Sequence, residues 1–262
     1  MPDSRYHAGV QVRRQLLCLS IALAAHDLPL LHAEEPPADT AVSPCTEYTE
    51  TVAGIDVSKY QGTVQWPAVQ KAGVRFAFIR VSDGGGSPDE HFAENWAGAR
   101  AAGLLRGAYQ YFRPSEDAVA QAKLLLRAVR RLKKGDLSPV LDVETLDDLP
   151  AKDVVLQIRT WMTYVAGHTG RTPILYTNSA TWNALGAPDL SAYPLWMARW
   201  EADCPPPLAG FARWQFWQYA SDGRVDGIEG AVDLDWFNGS LSELQLLAGH
   251  KPPAPRRSKP AE

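Results

Sequence analysis

Two acids stand two apart in an otherwise apolar run, Val140-Leu141-Asp142-Val143-Glu144. Successive side chains of an extended segment point to opposite faces, so Asp142 and Glu144 share one face, with Leu141 and Val143 on the other. Acids in such a run are costly to bury unless they pair or carry out chemistry. Crowded carboxylates raise one another's pKa, which supplies an acid still protonated near neutrality. A proton donor beside an anion that stabilises positive charge is what cleavage of a glycosidic bond requires. Asp56 in Gly54-Ile55-Asp56-Val57-Ser58, and Asp233 and Asp235 in Val232-Asp233-Leu234-Asp235, are further acids in short apolar runs. Asp235 is expected in a salt bridge or turn cap. Clustered carboxylates would also suit Mg²⁺, but no phosphate-binding loop accompanies them, and neither metal nor cofactor is expected.

Aromatic residues fit a sugar ligand. Tyr109 and Tyr111 alternate to one face of their run, Trp196 and Trp200 share a face of theirs, and Trp217 with Tyr219 ends another. Gathered at the rim that holds the acids, such rings would form a platform for sugars; each could equally be core. The expected substrate-binding set is Tyr109, Tyr111, Tyr176, Trp196 and Trp217. Trp66, Trp96 and Trp161 have helical placement and read as core. Asp83-Gly84-Gly85-Gly86-Ser87 lacks the Gly-Lys-Ser/Thr of a phosphate cradle and reads as a flexible loop. The chain has no Gly-x-Ser-x-Gly elbow, and its histidines have no HExxH spacing.

Scattered acids converge only if strand ends bring them together. β-branched or aromatic runs bounded by Gly, Pro, Asp or Ser recur at Gly54–Ser58, Phe76–Ser82, Leu104–Phe112, Pro139–Glu144, Pro173–Thr177, Pro194–Trp200, Trp214–Ala220 and Val232–Phe237. Helical periodicity fills the gaps at Trp66–Ala72, His91–Ala102, Ser115–Leu132, Lys152–His168 and Ser179–Leu185. Ser115, followed by two acids, reads as a helix N-cap. This alternation implies parallel strands with right-handed crossovers. A complete (β/α)₈ barrel needs about 250 residues and this segment has about 200. Pro-rich or Gly-rich loops leave no room for helices between the last three strands. The expected fold class is α/β, a single-domain TIM-like (β/α)₅β₃ barrel, with a doubly wound open sheet as the competing architecture. Catalytic residues of such barrels sit at the C-terminal ends of strands.

The 262 residues are 45 % apolar and 21 % charged, enough for a buried core and unlike a disordered or collagen-like chain. A formal charge of −4 argues against a nucleic-acid partner. No apolar run reaches the roughly 18 residues of a membrane span. Arg13-Arg14 followed by the apolar stretch Leu16–Ala25 has the form of a signal peptide, expected over residues 1–33 and ending at Leu31-His32-Ala33. The chain is therefore expected to be exported, to the periplasm or beyond. Residues 34–51 read as a Pro-rich linker, 52–250 as the catalytic barrel and 251–262 as a disordered tail. With Cys18 removed in the leader, Cys45 and Cys204 form an even pair, expected as a disulfide. A monomer is expected, since a groove for a polymer needs an open face.

The runs together resemble the glycoside hydrolase family 25 lysozymes, N-acetylmuramidases that cut peptidoglycan. The matching pieces are Gly54-Ile55-Asp56-Val57-Ser58 with Gln61-Gly62, Trp66, Phe78-Ile79-Arg80, Gly107-Ala108-Tyr109 and Leu141-Asp142-Val143-Glu144. They continue as Ile174-Leu175-Tyr176-Thr177, Leu195-Trp196-Met197-Ala198, Phe216-Trp217-Gln218-Tyr219 and Val232-Asp233-Leu234, in order across about residues 52–240. The resemblance implies hydrolysis of the β-1,4 bond between N-acetylmuramic acid and N-acetylglucosamine. It makes Glu144 the general acid/base, and it makes Asp142 the group that orients the substrate's own N-acetyl as that attacks the anomeric carbon. This substrate-assisted retaining route lies outside the two-carboxylate schemes, and direct inversion is its rival. Asp56 and Asp233 match the family's other two active-site acids, and Tyr109 a substrate-contacting tyrosine. Gln110 stands where the family commonly has His, Ser82 begins a stretch that elsewhere begins with Thr, and Asp235 stands where Asn is frequent. A family 18 chitinase would need Asp in place of Val140. A barrel that binds wall glycan without cutting it is the remaining alternative, and retention of Asp56, Asp142, Glu144 and Asp233 argues against it.

Overall fold

The computed structural model of the chain describes residues 50–200 and 204–251. The expected leader, nearly all of the linker and tail, and Cys45 with its expected bond to Cys204 lie outside the described residues. The strands are β1 (Thr51–Val57), β2 (Phe76–Asp83), β3 (Ser87–Pro88), β4 (Leu105–Tyr111), β5 (Val140–Val143), β6 (Ile174–Asn178), β7 (Leu195–Ala198), β8 (Phe216–Gly223) and β9 (Val232–Asn238). The helices are α1 (Trp66–Lys71), α2 (Phe92–Ala101), α3 (Ala118–Val129), α4 (Ala151–Thr169), α5 (Ser179–Ala184) and α6 (Leu241–Leu247). All strands but β3 form a ring in the order β1-β2-β4-β5-β6-β7-β8-β9, closed by pairing of β9 with β1. Helices α1 to α5 fill the early connections, and among the described residues no helix lies between β7, β8 and β9. This is the TIM-like (β/α)₅β₃ barrel, in one domain.

The ring departs from the expected parallel order at one strand. β9 runs antiparallel to both neighbours, β8 and β1. Only residues 224–231 join β8 to β9, and a parallel return needs a dozen or more. The short link therefore turns the chain straight back. Its functional result is that Asp233, at the start of β9, reaches the same rim as the ends of the other strands, opposite Asp56 of β1.

Strand alternation divides the core in two. Inward-facing residues, among them Phe76, Phe78, Tyr109, Tyr176, Trp196, Phe216 and Phe237, fill the barrel. Outward-facing ones, such as Ile55, Ile79, Leu141, Val143, Met197 and Trp217, pack beneath the helices. The interior is an aromatic floor: Phe78 stacks on Trp196 with centroids 4.3 Å apart, and Phe216 meets Phe76 at 5.4 Å and Phe237 at 5.2 Å. Space for these rings comes from glycine. Gly54 lies beside Phe76 and Gly107 beside Phe78 on neighbouring strands, and a Cβ on Gly54 would fall 2.1 Å from the Phe76 ring.

Three local expectations change. Ser115 does not cap α3; Asp117 does, accepting from Ala120 N at 2.6 Å, while Ser115 Oγ donates to Asp147. α6 is an additional helix, begun by a capping box in which Ser240 and Glu243 exchange hydrogen bonds. The Gly84–Gly86 turn is held rather than loose. Asp83 takes two hydrogen bonds from Arg113 at 2.6 and 2.8 Å, Gly85 N donates to Glu116, and Gly84 O accepts from Ser82 and Gln110. Gln110 completes this support from the outer face of β4, where its Oε1 accepts from Trp161 Nε1 at 2.8 Å.

Candidate active site

The floor ends where the inward positions turn polar. Above Phe76 and Phe78 on β2 comes Arg80; above Val140 on β5 come Asp142 and then Glu144; above Phe216 on β8 comes Gln218. Asp56 and Asp233 face each other across β1 and β9. Together these residues line a cleft of ≈ 490 Å³ at the open end of the barrel, with Tyr109, Tyr111, Tyr176, Trp196 and Trp200 on its walls. All four acids expected at the site are therefore brought together. Four of the five expected aromatic contacts are there too.

The fifth is not. Trp217 does not line the cleft: with Phe216 and Gln218 facing inward, the residue between them must face out. Its indole N–H donates to Arg199 O at 2.8 Å and its ring packs on Trp214 under the outer layer. Asp235 also departs from expectation. It makes neither a salt bridge nor a turn cap but lies fully buried inside the barrel, where Oδ1 accepts from Trp196 Nε1 at 2.9 Å. No protein N–H or O–H reaches its Oδ2 among the described residues.

Gln218, absent from the expected set, organises the floor of the cleft. Its Nε2 donates to Asp56 Oδ2 at 2.7 Å, and its Oε1 accepts from Tyr176 OH at 2.9 Å and from Trp200 Nε1 at 3.2 Å. Arg80, also absent from that set, supplies positive charge at the opposite wall. Asp89 fixes its guanidinium at 3.1 Å, and the exposed Tyr60 ring covers it at 4.9 Å. Strand alternation was the available signal for both residues, since each follows inward phenylalanines by two positions.

Burial governs the electrostatics. It pushes Asp142 well above the ordinary carboxyl range, and the neighbouring Glu144 charge adds to the rise. Glu144 is itself raised, chiefly by desolvation from the groups packed around it, although the residue is exposed to solvent. The two carboxyls are close enough to perturb each other, and the Asp142 side chain in turn tempers the rise at Glu144. Asp142 Oδ1 is buried at the cleft surface, and among the described residues no N–H or O–H is placed for it to accept from. Asp56 is raised well above its ordinary value by burial and then by the charges of Asp233 and Asp235. Asp233 is pushed up to about 6, chiefly by burial. The cleft thus holds carboxylic acids that keep protons toward neutrality, beside others poised to lose them. Among the described residues, no group of His, Cys, Asp or Glu is disposed to hold a metal ion.

Comparisons with known proteins agree with this architecture. The chain is 41 % identical over 202 residues to the uncharacterized protein YegX of Escherichia coli strain K12, covering 75 % of this chain and 73 % of that one. It is 35 % identical over 217 residues to lysozyme M1 of Streptomyces globisporus, covering 77 % and 73 %. The crystal structure of the bacterial lysozyme from Streptomyces coelicolor superposes with a TM-score of 0.72 at 34 % identity, covering 76 % of this chain and 98 % of that one. The family model for glycosyl hydrolases family 25 matches residues 55–228, and the chain belongs to that family.

Proposed function

We propose that the chain is a muramidase of peptidoglycan, hydrolysing the β-1,4 bond between N-acetylmuramic acid and N-acetylglucosamine. The observation that carries this reading is the Asp142–Glu144 pair, two carboxyls of raised pKa at the end of β5 in an aromatic-walled cleft. The relatives named as lysozymes support the bond and the polymer.

Glu144 is the general acid/base. Less buried than Asp142 and raised in pKa, it can protonate the leaving glycosidic oxygen and then take a proton from water. Asp142 Oδ1, which has no donor among the described residues, suits the N–H of the substrate's acetamido group. Held there, the acetamido oxygen attacks the anomeric carbon as the glycosidic bond breaks. Water then opens the resulting oxazolinium ring, with retention. Asp56 and Asp233 hold the sugar and set the charge around the pair, and Tyr109, Tyr111, Tyr176 and Trp196 form the walls. Because the polymer lies outside the cytoplasm, the same proposal takes the chain to be exported, on the leader pattern of residues 1–33, and to act as a monomer.

Residues 34–262 are incubated with purified peptidoglycan, and mass spectrometry identifies the sugar at each new reducing end. The expected result is N-acetylmuramic acid, with Glu144→Gln about 10²- to 10⁴-fold slower, the usual contribution of a general acid. Reducing ends of N-acetylglucosamine, or unimpaired turnover by the variant, would overturn the assignment.

A further inference from the structure

A second concavity lies on the side of the barrel, between α2 and α3, with a volume of ≈ 870 Å³. It starts at Pro88 and Asp89 near the catalytic rim. Helices of this fold run back from that rim, so the C-terminal ends of α2 and α3 mark its far end. Phe92 and Trp96 of α2 and Leu124 and Ala128 of α3 supply apolar walls. The far end is lined by Arg100, Arg127, Arg130, Arg131 and Lys133, all exposed. Arg130 leaves α3 with φ 56°, which turns the chain into the basic run Arg130-Arg131-Leu132-Lys133-Lys134.

Apart from Arg100, these cations pair with no acid of the fold among the described residues. Buried Asp136 already takes Arg106 at 2.7 Å and Arg100 at 3.4 Å. Arg127, Arg130, Arg131 and Lys133 make no ion pair among the described residues. Asp89 also lines the groove but is committed to Arg80 and to the backbone N–H groups of Lys59 and His91. Glu90 lies at the rim end. Cations gathered without partners, in a chain whose formal charge is −4, repel one another unless an anion joins them.

We propose that this groove is a second polymer-binding site, separate from the catalytic cleft, for an anionic chain whose repeating unit carries phosphate. Guanidinium groups meet phosphate oxygens in pairs, and four of the five exposed cations are arginines. Phosphate linkages along a backbone place a charge in every repeat, and each phosphate offers a guanidinium two oxygens, so successive repeats can meet several of these cations. The apolar walls accept the carbon skeleton between the charges. Engagement here would hold the enzyme on a phosphate-rich surface and raise the local concentration of glycan at the cleft.

The test uses fluorescence anisotropy of the full chain with labelled poly(glycerol phosphate), and polygalacturonate and dextran as carboxylate and neutral probes. Binding to poly(glycerol phosphate) should weaken steeply between 50 and 200 mM salt, following counterion release. The triple variant Arg127→Glu, Arg131→Glu, Lys133→Glu should bind about tenfold or more weakly, with the log–log salt slope reduced by about 2. The same positions changed to Gln should fall between that variant and the parent. Both variants should keep the parent's melting temperature and its rate on phosphate-free soluble glycan. Equal affinity of parent and variants, tighter binding of polygalacturonate, or no binding of poly(glycerol phosphate) would each overturn the proposal. The binding readout needs no hydrolysis, so it stands or falls independently of the muramidase reading.

Discussion

Gln218 shows how a neutral residue can set the geometry of an acidic site. A carboxylate at its position would add charge beside Asp56; an apolar side chain would leave Asp56 Oδ2 without its donor. As an amide it gives one hydrogen bond to Asp56 and receives two, from Tyr176 and Trp200. Gln218→Leu is therefore expected to lower stability by about 1–3 kcal/mol, the cost of stranding buried polar groups, and to reduce kcat/KM. Urea denaturation and steady-state kinetics check both; an unchanged denaturation midpoint would show that the network is dispensable. The acids themselves were legible in the sequence because a carboxylate in a strand that is otherwise apolar has few innocent explanations. Gln218 and Arg80 were not, since long polar side chains are ordinary in strands until their inward phase is known. Trp217 misled for the same reason: its type suits sugar, but its phase faces the helices.

At the scale of elements, the site depends on how the floor beneath it is packed and how the barrel is closed from below. Gly54 makes room for Phe76, and its backbone needs no unusual conformation, so the constraint is one of space alone. Gly54→Ala is expected to cost about 1–3 kcal/mol, as overpacking does, and differential scanning calorimetry should record a lower melting temperature. At the far end, α6 buries Leu244 inside the barrel core. Ser240→Ala should cost about 0.5–2 kcal/mol through loss of the N-cap, read from the same denaturation curves. A loss near zero would mean that Leu244 alone holds α6 in place. The capping box Ser240-x-x-Glu243 before an apolar run was a visible signal for this helix. The strands and the first five helices were legible because alternation and helical periodicity are strong over those lengths. The direction of β9 was not, because it follows from the length of a single link rather than from any pattern within the strand.

For the molecule as a whole, the cost of crowding acids inside a barrel has a definite sign in pH. Asp56, Asp142 and Asp235 are raised well above their ordinary values, Asp233 to about 6, and Glu144 is raised, with burial the leading cause for each. The folded chain therefore binds more protons than the unfolded one above about pH 4, and stability falls as pH rises through these folded values. Asp147 and Glu243 are lowered and act oppositely, but below about pH 4.5, where their unfolded forms titrate. The melting temperature is expected to be highest near pH 4–5 and to decline steadily toward pH 8. Asp235→Asn tests where the slope comes from. An amide oxygen can still accept from Trp196, but the amide does not titrate, so the decline between pH 5 and 8 should be shallower than in the parent. Parallel curves for the two proteins would place the pH sensitivity elsewhere. Catalysis by a protonated Glu144 draws on the same protons, so activity should also fall on the alkaline side. The carboxyl cluster thus couples working pH to stability: the condition that keeps its acid charged with a proton is the one that keeps the barrel folded.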